Sequence, residues 1–450
     1  MHRLGVLALA ALCSGCTAAA QYRPWPQATL TQPDSITVGF NHRRGSTYIS
    51  PLTGQRRSGD NLEQQLIAAI EGAQREVLMA VQELTLPAIA NALIERHRAG
   101  VSVKLVLENT YSAPWSRQHP AGLEPHQQKR LQRLQKLGWR DSIALLRGAG
   151  VPLLDDTADG SAGSDLMHHK FVVIDRQRVL TGSANFTSSG LHGDAGKASS
   201  RGNVNHLLQL DSPELAQLFA EEFAQLWGDG PGGVPDSRFG LGKHSRGLKQ
   251  AQLGSDRAGV LFAPHRRDDP DHGLALIRQQ LEQAQRSIDL ALFVFSAQEL
   301  ADVLALKREQ GVQIRVLVDP SFAHRSYSEW LDLKGLAMAD HRCRLEAGNN
   351  PWATPLQTVG TPRLSRGDKL HHKFAVIDGR TVITGSFNWS PAAAHTNDET
   401  LLVFHSSTLA AHFTREMDRL WQGAELGITP RLQRKLERSQ RLCGKSQIAD

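Results

Sequence analysis

One passage of the chain is written twice. From Leu166 it reads LMHHKFVVIDRQRVLTGSANF, and from Leu370 it reads LHHKFAVIDGRTVITGSFNWS. His168, Lys170, Asp175, Gly182, Ser183 and Asn185 recur as His371, Lys373, Asp378, Gly385, Ser386 and Asn388 at a constant offset of 203. The apolar letters between them recur in kind, FVVID against FAVID and VLTG against VITG. A polar pattern that brings its hydrophobic frame along is a duplicated structural unit.

The duplication extends on both sides. Ala73-Gln74-Arg75 aligns with Ala284-Gln285-Arg286, and Gly100-Val101 with Gly311-Val312, at offset 211. Towards the end of each half, LAQLFAEEFAQLWG faces LAAHFTREMDRLWQ at offset 194, pairing Phe219 with Phe413 and Trp227 with Trp421. Helical periodicity alternates with strand-like runs such as VLMAV, LALFV, VSVKLVLEN and VQIRVLVDP. That alternation predicts an α/β fold of two homologous α/β/α sandwich domains related by a pseudo-twofold axis. The expected divisions are 36–228 and 258–427, joined by a Gly- and Pro-rich linker, 229–257, and followed by a basic tail, 428–450. The tail is expected to be a solvated, frayed end.

At 450 residues the chain has room for two ordinary cores. Lys and Arg number 51 against 45 Asp and Glu, a mild excess of +6 that suits an anionic partner without choosing one. Residues 1–20, with a basic start, an apolar run and small residues, have the layout of an export signal. CSGC ending at Cys16 resembles a bacterial lipoprotein box, whereas AAA before Gln21 suits ordinary cleavage. The expectation is therefore an exported protein, either secreted or held at a membrane by a lipid on Cys16. Cys343 and Cys443 remain in the body of the chain, and whether they pair is left open.

Strand alternation puts His168 and Lys170 on one face, with His169 and Phe171 on the other, and treats His371 and Lys373 likewise. Asn185 and Asn388 can aim an amide at the same face. Two such sets around one pocket provide two imidazoles, two ammonium groups and two amides, which is what cleavage of a phosphodiester requires. Lysine and asparagine hold the non-bridging oxygens, one imidazole attacks phosphorus and the other protonates the leaving oxygen. A zinc site from the two HH pairs is disfavoured, since no third ligand accompanies them. No metal and no cofactor are expected.

HxK, four residues, Asp, six residues, GSxN, present twice, resembles the signature of the phospholipase D superfamily. The resemblance runs from about 36 to 425 and implies a metal-independent phosphodiesterase working through a covalent phosphohistidine. It makes His168 the nucleophile and His371 the acid, with Lys170, Lys373, Asn185 and Asn388 catalytic and Ser183 and Ser386 binding substrate. Asp175 and Asp378 belong to the catalytic motif, although the family uses this Asp more as a structural partner at the strand end. Glu399 falls where the family places a carboxylate that orients a histidine. In the first half offset 194 puts Asn205 there, so Asn205 is expected to orient the first half's imidazole and Glu399 the second's. Asp194, in a longer excursion of the first half, is an alternative source of the missing carboxylate.

The superfamily's substrates divide the reading. Export and a lipid anchor favour hydrolysis of a phospholipid head group, by a protein expected to be monomeric. The compact GSFNWS and the basic balance favour a secreted nuclease acting on DNA or RNA. A non-catalytic anion-binding lipoprotein is the third reading. The excursion after Glu108 is expected near the pocket mouth.

Overall fold

The computed structural model describes residues 29–161, 165–194, 197 and 199–444. The segment expected to be an export signal, residues 1–20, lies outside the described residues with Cys16 and Gln21.

Each half is built on a mixed sheet, and the two sheets have the same strand order. The first runs Ile36–Phe40, His206–Asp211, Arg178–Gly182, Lys170–Ile174, Glu76–Val81, Ser102–Leu107 and Leu153–Asp155. The second runs Asp256–Ala263, Glu399–His405, Thr381–Gly385, Lys373–Ile377, Ser287–Leu292, Gln313–Val318 and Val359–Gly360, with Lys249–Leu253 added at its edge. The motif strands Lys170–Ile174 and Lys373–Ile377 are central in each sheet and buried at every position. A strand covered on both faces has no polar side to show, so its letters are nearly all apolar.

On the outer face of the first sheet pack Leu62–Glu71 and Pro87–Arg98, with Leu66, Ile70, Ile89 and Leu93 in one core. Gly273–Glu282 and Gln298–Glu309 do the same for the second sheet. The inner faces share a single core, which holds Phe171 and Phe219 of the first half with Phe374 and Phe413 of the second. Phe40 meets Phe413 edge-on at 5.2 Å across the boundary. The closing helices Pro213–Trp227 and Ser407–Trp421 contribute Phe219 and Phe413 to this shared layer. A common apolar layer fixes how the halves meet, and it sets the position of the site.

Two segments differ from expectation. The linker is not structureless: KQAQL at 249–253 pairs antiparallel with Asp256–Ala263, burying Ala251 and Leu253 on alternate positions. The basic tail is a helix, Pro430–Cys443, because Leu432 and Leu436 give it an apolar stripe that docks in the second core. A disulfide joins its last residue, Cys443, to Cys343. The linkage closes the pairing left open by sequence.

Candidate active site

The site forms where each motif strand begins, against the other half. His168 N–H donates to Asp398 O at 2.9 Å, and Asp398 N–H donates to Leu166 O at 2.9 Å. Reciprocally, Val204 N–H donates to Lys369 O at 2.7 Å and His371 N–H to Val204 O at 3.1 Å. Each motif thus runs alongside the residues that precede the other half's last sheet strand. This backbone crossing decides which groups meet.

It corrects the assignment of the orienting residues. Glu399 Oε2 lies 2.8 Å from Nδ1 of His168, in the first half, and not against His371. Asn205 Oδ1 lies 3.0 Å from Nδ1 of His371, in the second half, and not against His168. Both reach across the boundary, because positions 205 and 399 stand beside the other half's motif. Ser386 Oγ donates to Glu399 at 2.6 Å and Ser183 Oγ donates to Asn205 at 2.8 Å. The motif serines therefore position the orienting groups. Ser183 also offers its carbonyl to His371 Nδ1 at 3.0 Å.

With both Nδ1 atoms engaged, Nε2 is the nitrogen left for chemistry on each ring. The imidazoles retain 6% and 9% exposure while Lys170 and Lys373 retain 1%, so it is the rings that meet a ligand first. Lys170 Nζ donates to His168 O at 2.7 Å, and Lys373 Nζ to His371 O at 2.8 Å. The ammonium groups are thereby held behind the imidazoles. Asn185 donates to Gln82 Oε1 at 3.0 Å, and the Oδ1 atoms of Asn185 and Asn388 are buried without a partner.

Burial, and then the two lysines, hold both imidazoles well below their ordinary pKa. Burial brings Lys170 down to about 7 against the pull of Glu399 and Glu83. Lys373 is lowered by burial and by Lys170. Burial lifts Glu399 to about 7, opposed by Lys170 and the Ser386 hydroxyl. The shared cause is the dry boundary, which disfavours every charge until an anion arrives to balance the cations.

Asp175 and Asp378 are not in this pocket. They stand at the far end of the motif strands with φ of 54°, each turning the chain. Asp175 accepts N–H donors from Gln74, Arg75 and Glu76 at 2.7–2.8 Å. Asp378 accepts those of Gln285, Arg286 and Ser287 at 2.7–2.9 Å. The spacing between these acids and the histidines, the same in both halves, is the length of one strand. Their work is structural, as a side chain that knots the turn to the start of the neighbouring strand. Gly385, at φ 127°, has a different constraint, since a Cβ there would meet Thr400 O at 2.2 Å.

His169 and His372 pack behind the strands. His169 meets Thr400 Oγ1 at 2.9 Å and Glu222 at 3.2 Å, and His372 meets His206 at 3.0 Å and Glu416 at 3.1 Å. Among the described residues, His169, Glu222 and Asp398 are the one group close enough to share a metal ion. The Lys243 ammonium sits among them, bonded to Glu222 and 2.7 Å from Asp398, and supplies the positive charge itself. Asp194 is exposed on the rim of a cavity of about 130 Å³, and both Nδ1 positions are already taken by Asn205 and Glu399.

Sequence reasoning missed two wall residues. Phe293 lies 4.7 Å from the His371 ring, with Lys373 Nζ 5.0 Å from its face, whereas Gln82 holds Asn185 on the other side. Offset 211 makes Gln82 and Phe293 counterparts, so the alignment contained the signal. One wall is polar and the other aromatic.

A family model described as "Cardiolipin synthase, PLD-like domain" matches residues 66–227 and 277–421, more than half of the chain and both halves of the site. The chain belongs to the phospholipase D-like family. Among its curated relatives, the mitochondrial cardiolipin hydrolase of Xenopus tropicalis is 33% identical over 142 residues, covering 32% of this chain and 58% of that protein. The human mitochondrial cardiolipin hydrolase is 29% identical over 154 residues, covering 34% of this chain and 52% of its own length. The chain therefore spans little more than half the length of these phospholipase D-like relatives. Among solved structures, phosphatidylserine synthase of Haemophilus influenzae Rd KW20 matches with a TM-score of 0.54 at 13% identity. That match covers 92% of this chain and 94% of the other, and it is a likeness of fold.

Proposed function

We propose that the protein is an exported phosphodiesterase that hydrolyses a phospholipid head group through a phosphohistidine on His168. The observation that carries the reading is the crossed pair of orienting groups. A carboxylate on Nδ1 makes the opposite nitrogen of an imidazole more basic and stabilises the ring once it is cationic. Glu399 does this for His168, so His168 Nε2 is the nucleophile. Its lone pair forms the N–P bond as the bond from phosphorus to the head-group oxygen breaks. His371, whose Nδ1–H donates to the Asn205 and Ser183 oxygens, takes up a proton on Nε2 when the phosphate anion balances the cations of the site, and gives that proton to the leaving oxygen. Water then attacks phosphorus, His371 takes back a proton, and the N–P electrons return to His168. Lys170 and Lys373 balance the non-bridging oxygens, whose charge is the main thing such a site must hold.

The names of the relatives favour a lipid substrate, and cardiolipin is the first to try. The Cys343–Cys443 disulfide favours an oxidising compartment and with it export. The deciding experiment assays the purified protein, with chelator present, on cardiolipin and phosphatidylcholine vesicles and on single- and double-stranded DNA. Release of head-group product from lipid and none from DNA is the expected result. Cleavage of DNA alone would make the protein a nuclease, and turnover of no diester at all would leave an anion-binding protein.

A further inference from the structure

The helix Pro430–Cys443 has a second, largely exposed face turned away from the apolar core. Leu432 and Leu436 are its buried positions, and Ser439 Oγ donates inward to Ala339 O. With those facing the core, helical spacing brings Arg431, Arg434, Lys435, Arg438, Arg441 and Leu442 into an outward arc of roughly 120°. All six are exposed, Leu442 by 71%. Glu437 is the single acidic residue of the helix. At 3.6 residues per turn such a stripe is a strong concentration of positive charge on one side of a short element.

The disulfide makes this face part of a larger surface. Cys443 is tied to Cys343, and between the helix and the loop around Cys343 lies a groove of about 910 Å³. Arg325, Tyr327, Lys435, Arg438 and Leu442 line it, with Glu346 and an Arg344–Asp340 pair. Cations, an exposed tyrosine and an exposed leucine are the mixture found where proteins sit at lipid head groups. A short relay of contacts links this surface to the reaction centre. Lys435 Nζ donates to His324 O at 2.6 Å, and Phe322, two residues earlier, packs edge-on against Phe293 at 4.5 Å. Phe293 is the aromatic wall of His371.

We propose that this disulfide-held helix and the loop beside it dock the protein on an anionic phospholipid surface, with the active-site mouth towards the bilayer. The inference rests on the phospholipid reading of the site and adds how that substrate is met. Charge complementarity selects the partner: the arginines neutralise anionic head groups while Tyr327 and Leu442 enter the interface between them. Each cation brought near an anionic leaflet strengthens binding several-fold, so three together are worth roughly two orders of magnitude.

The test is sedimentation of the full chain with phosphatidylcholine vesicles, with and without phosphatidylglycerol, in a Cys16→Ser background so that no acyl group contributes. The protein should bind the anionic vesicles, and added salt should release it. The triple variant Arg434→Gln, Arg438→Gln, Arg441→Gln should bind them about 100-fold more weakly. Its melting temperature and its turnover of soluble bis(p-nitrophenyl) phosphate should match the parent, since none of the three touches the core or the site. Leu442→Ser should lower binding to a smaller extent. Equal binding of neutral and anionic vesicles, or of parent and triple variant, would overturn the proposal. So would a loss confined to single-stranded DNA, which would make nucleic acid the partner. If vesicle binding behaves as expected while no lipid is hydrolysed, docking stands and the proposed reaction falls.

Discussion

At the scale of residues, two histidines share a motif and not an environment. Glu399 stands behind His168 and Asn205 behind His371. An activated ester such as a p-nitrophenyl phosphodiester has a leaving group that needs no proton. With it, His371→Ala should accumulate the phosphoryl adduct on residue 168, seen by mass spectrometry of protein denatured at alkaline pH, where the N–P bond survives. His168→Ala should carry no label, and a label on His371 there would exchange the roles. Both variants should lose at least 10²–10⁴-fold in steady-state turnover of an unactivated lipid, because each lacks a group that moves in the transition state. Asn205→Asp is the more pointed change. It gives His371 the carboxylate it lacks, which should raise its pKa. The alkaline limb of the kcat profile should move upward with it, and an unmoved limb would mean that His371 is not the acid. The letters of the motif were legible in the sequence, but Ser183 and Ser386 were expected to bind substrate and instead hold Asn205 and Glu399. The crossing was not, because an alignment of halves says which positions are equivalent and nothing about which face which across a boundary.

At the scale of elements, the strands put chemistry at one end and a structural knot at the other. Partial burial pushes the Asp175 carboxyl up, but N–H donors from Glu76, Gln74 and Arg75 outweigh it and hold the group below its usual range. A carboxyl depressed in the folded state stabilises the protein above its unfolded pKa of about 3.9. The contribution is lost as the pH falls through the folded value. Asp175→Asn should therefore cost about 1–2 kcal/mol at neutral pH and flatten the acid limb of the unfolding curve. The kcat of the variant, measured where it is folded, should stay within about threefold of the parent. A collapse of kcat with unchanged stability would return the aspartate to the catalytic set. Helices and central strands were legible because their apolar spacing repeats in both halves. The edge strand at 249–253 and the helix at 430–443 were not, since each takes only two buried residues, Ala251 and Leu253 or Leu432 and Leu436, from an otherwise polar run. Whether such runs order depends on a surface elsewhere in the chain that is ready to receive them.

At the scale of the whole molecule, the boundary between halves sets the electrostatics of the pocket. Lys170 and Glu399 both lie near 7, one pulled down and the other pushed up by the same burial. An arriving phosphate anion favours the protonated lysine, so binding should draw protons from solution. Affinity for dimethyl phosphate, a diester anion of constant charge in this range, should be full at acid pH and fall as the pH rises through about 7, where the free site loses the lysine's charge. Calorimetry in buffers of different ionisation enthalpy reads the proton uptake directly. Binding that is flat between pH 6 and 9 would mean that the lysines stay charged without a ligand. The crossed reach of residues 205 and 399 has a further consequence for the duplication. Two copies of the first half, paired as the halves pair here, would put an asparagine behind both imidazoles. Two copies of the second would put a glutamate behind both. Either symmetric pair would have twin histidines of one temperament, with nothing to tell donor from attacker. Only the unlike pair breaks the tie, so the division of labour is written into neither half and exists only in their union.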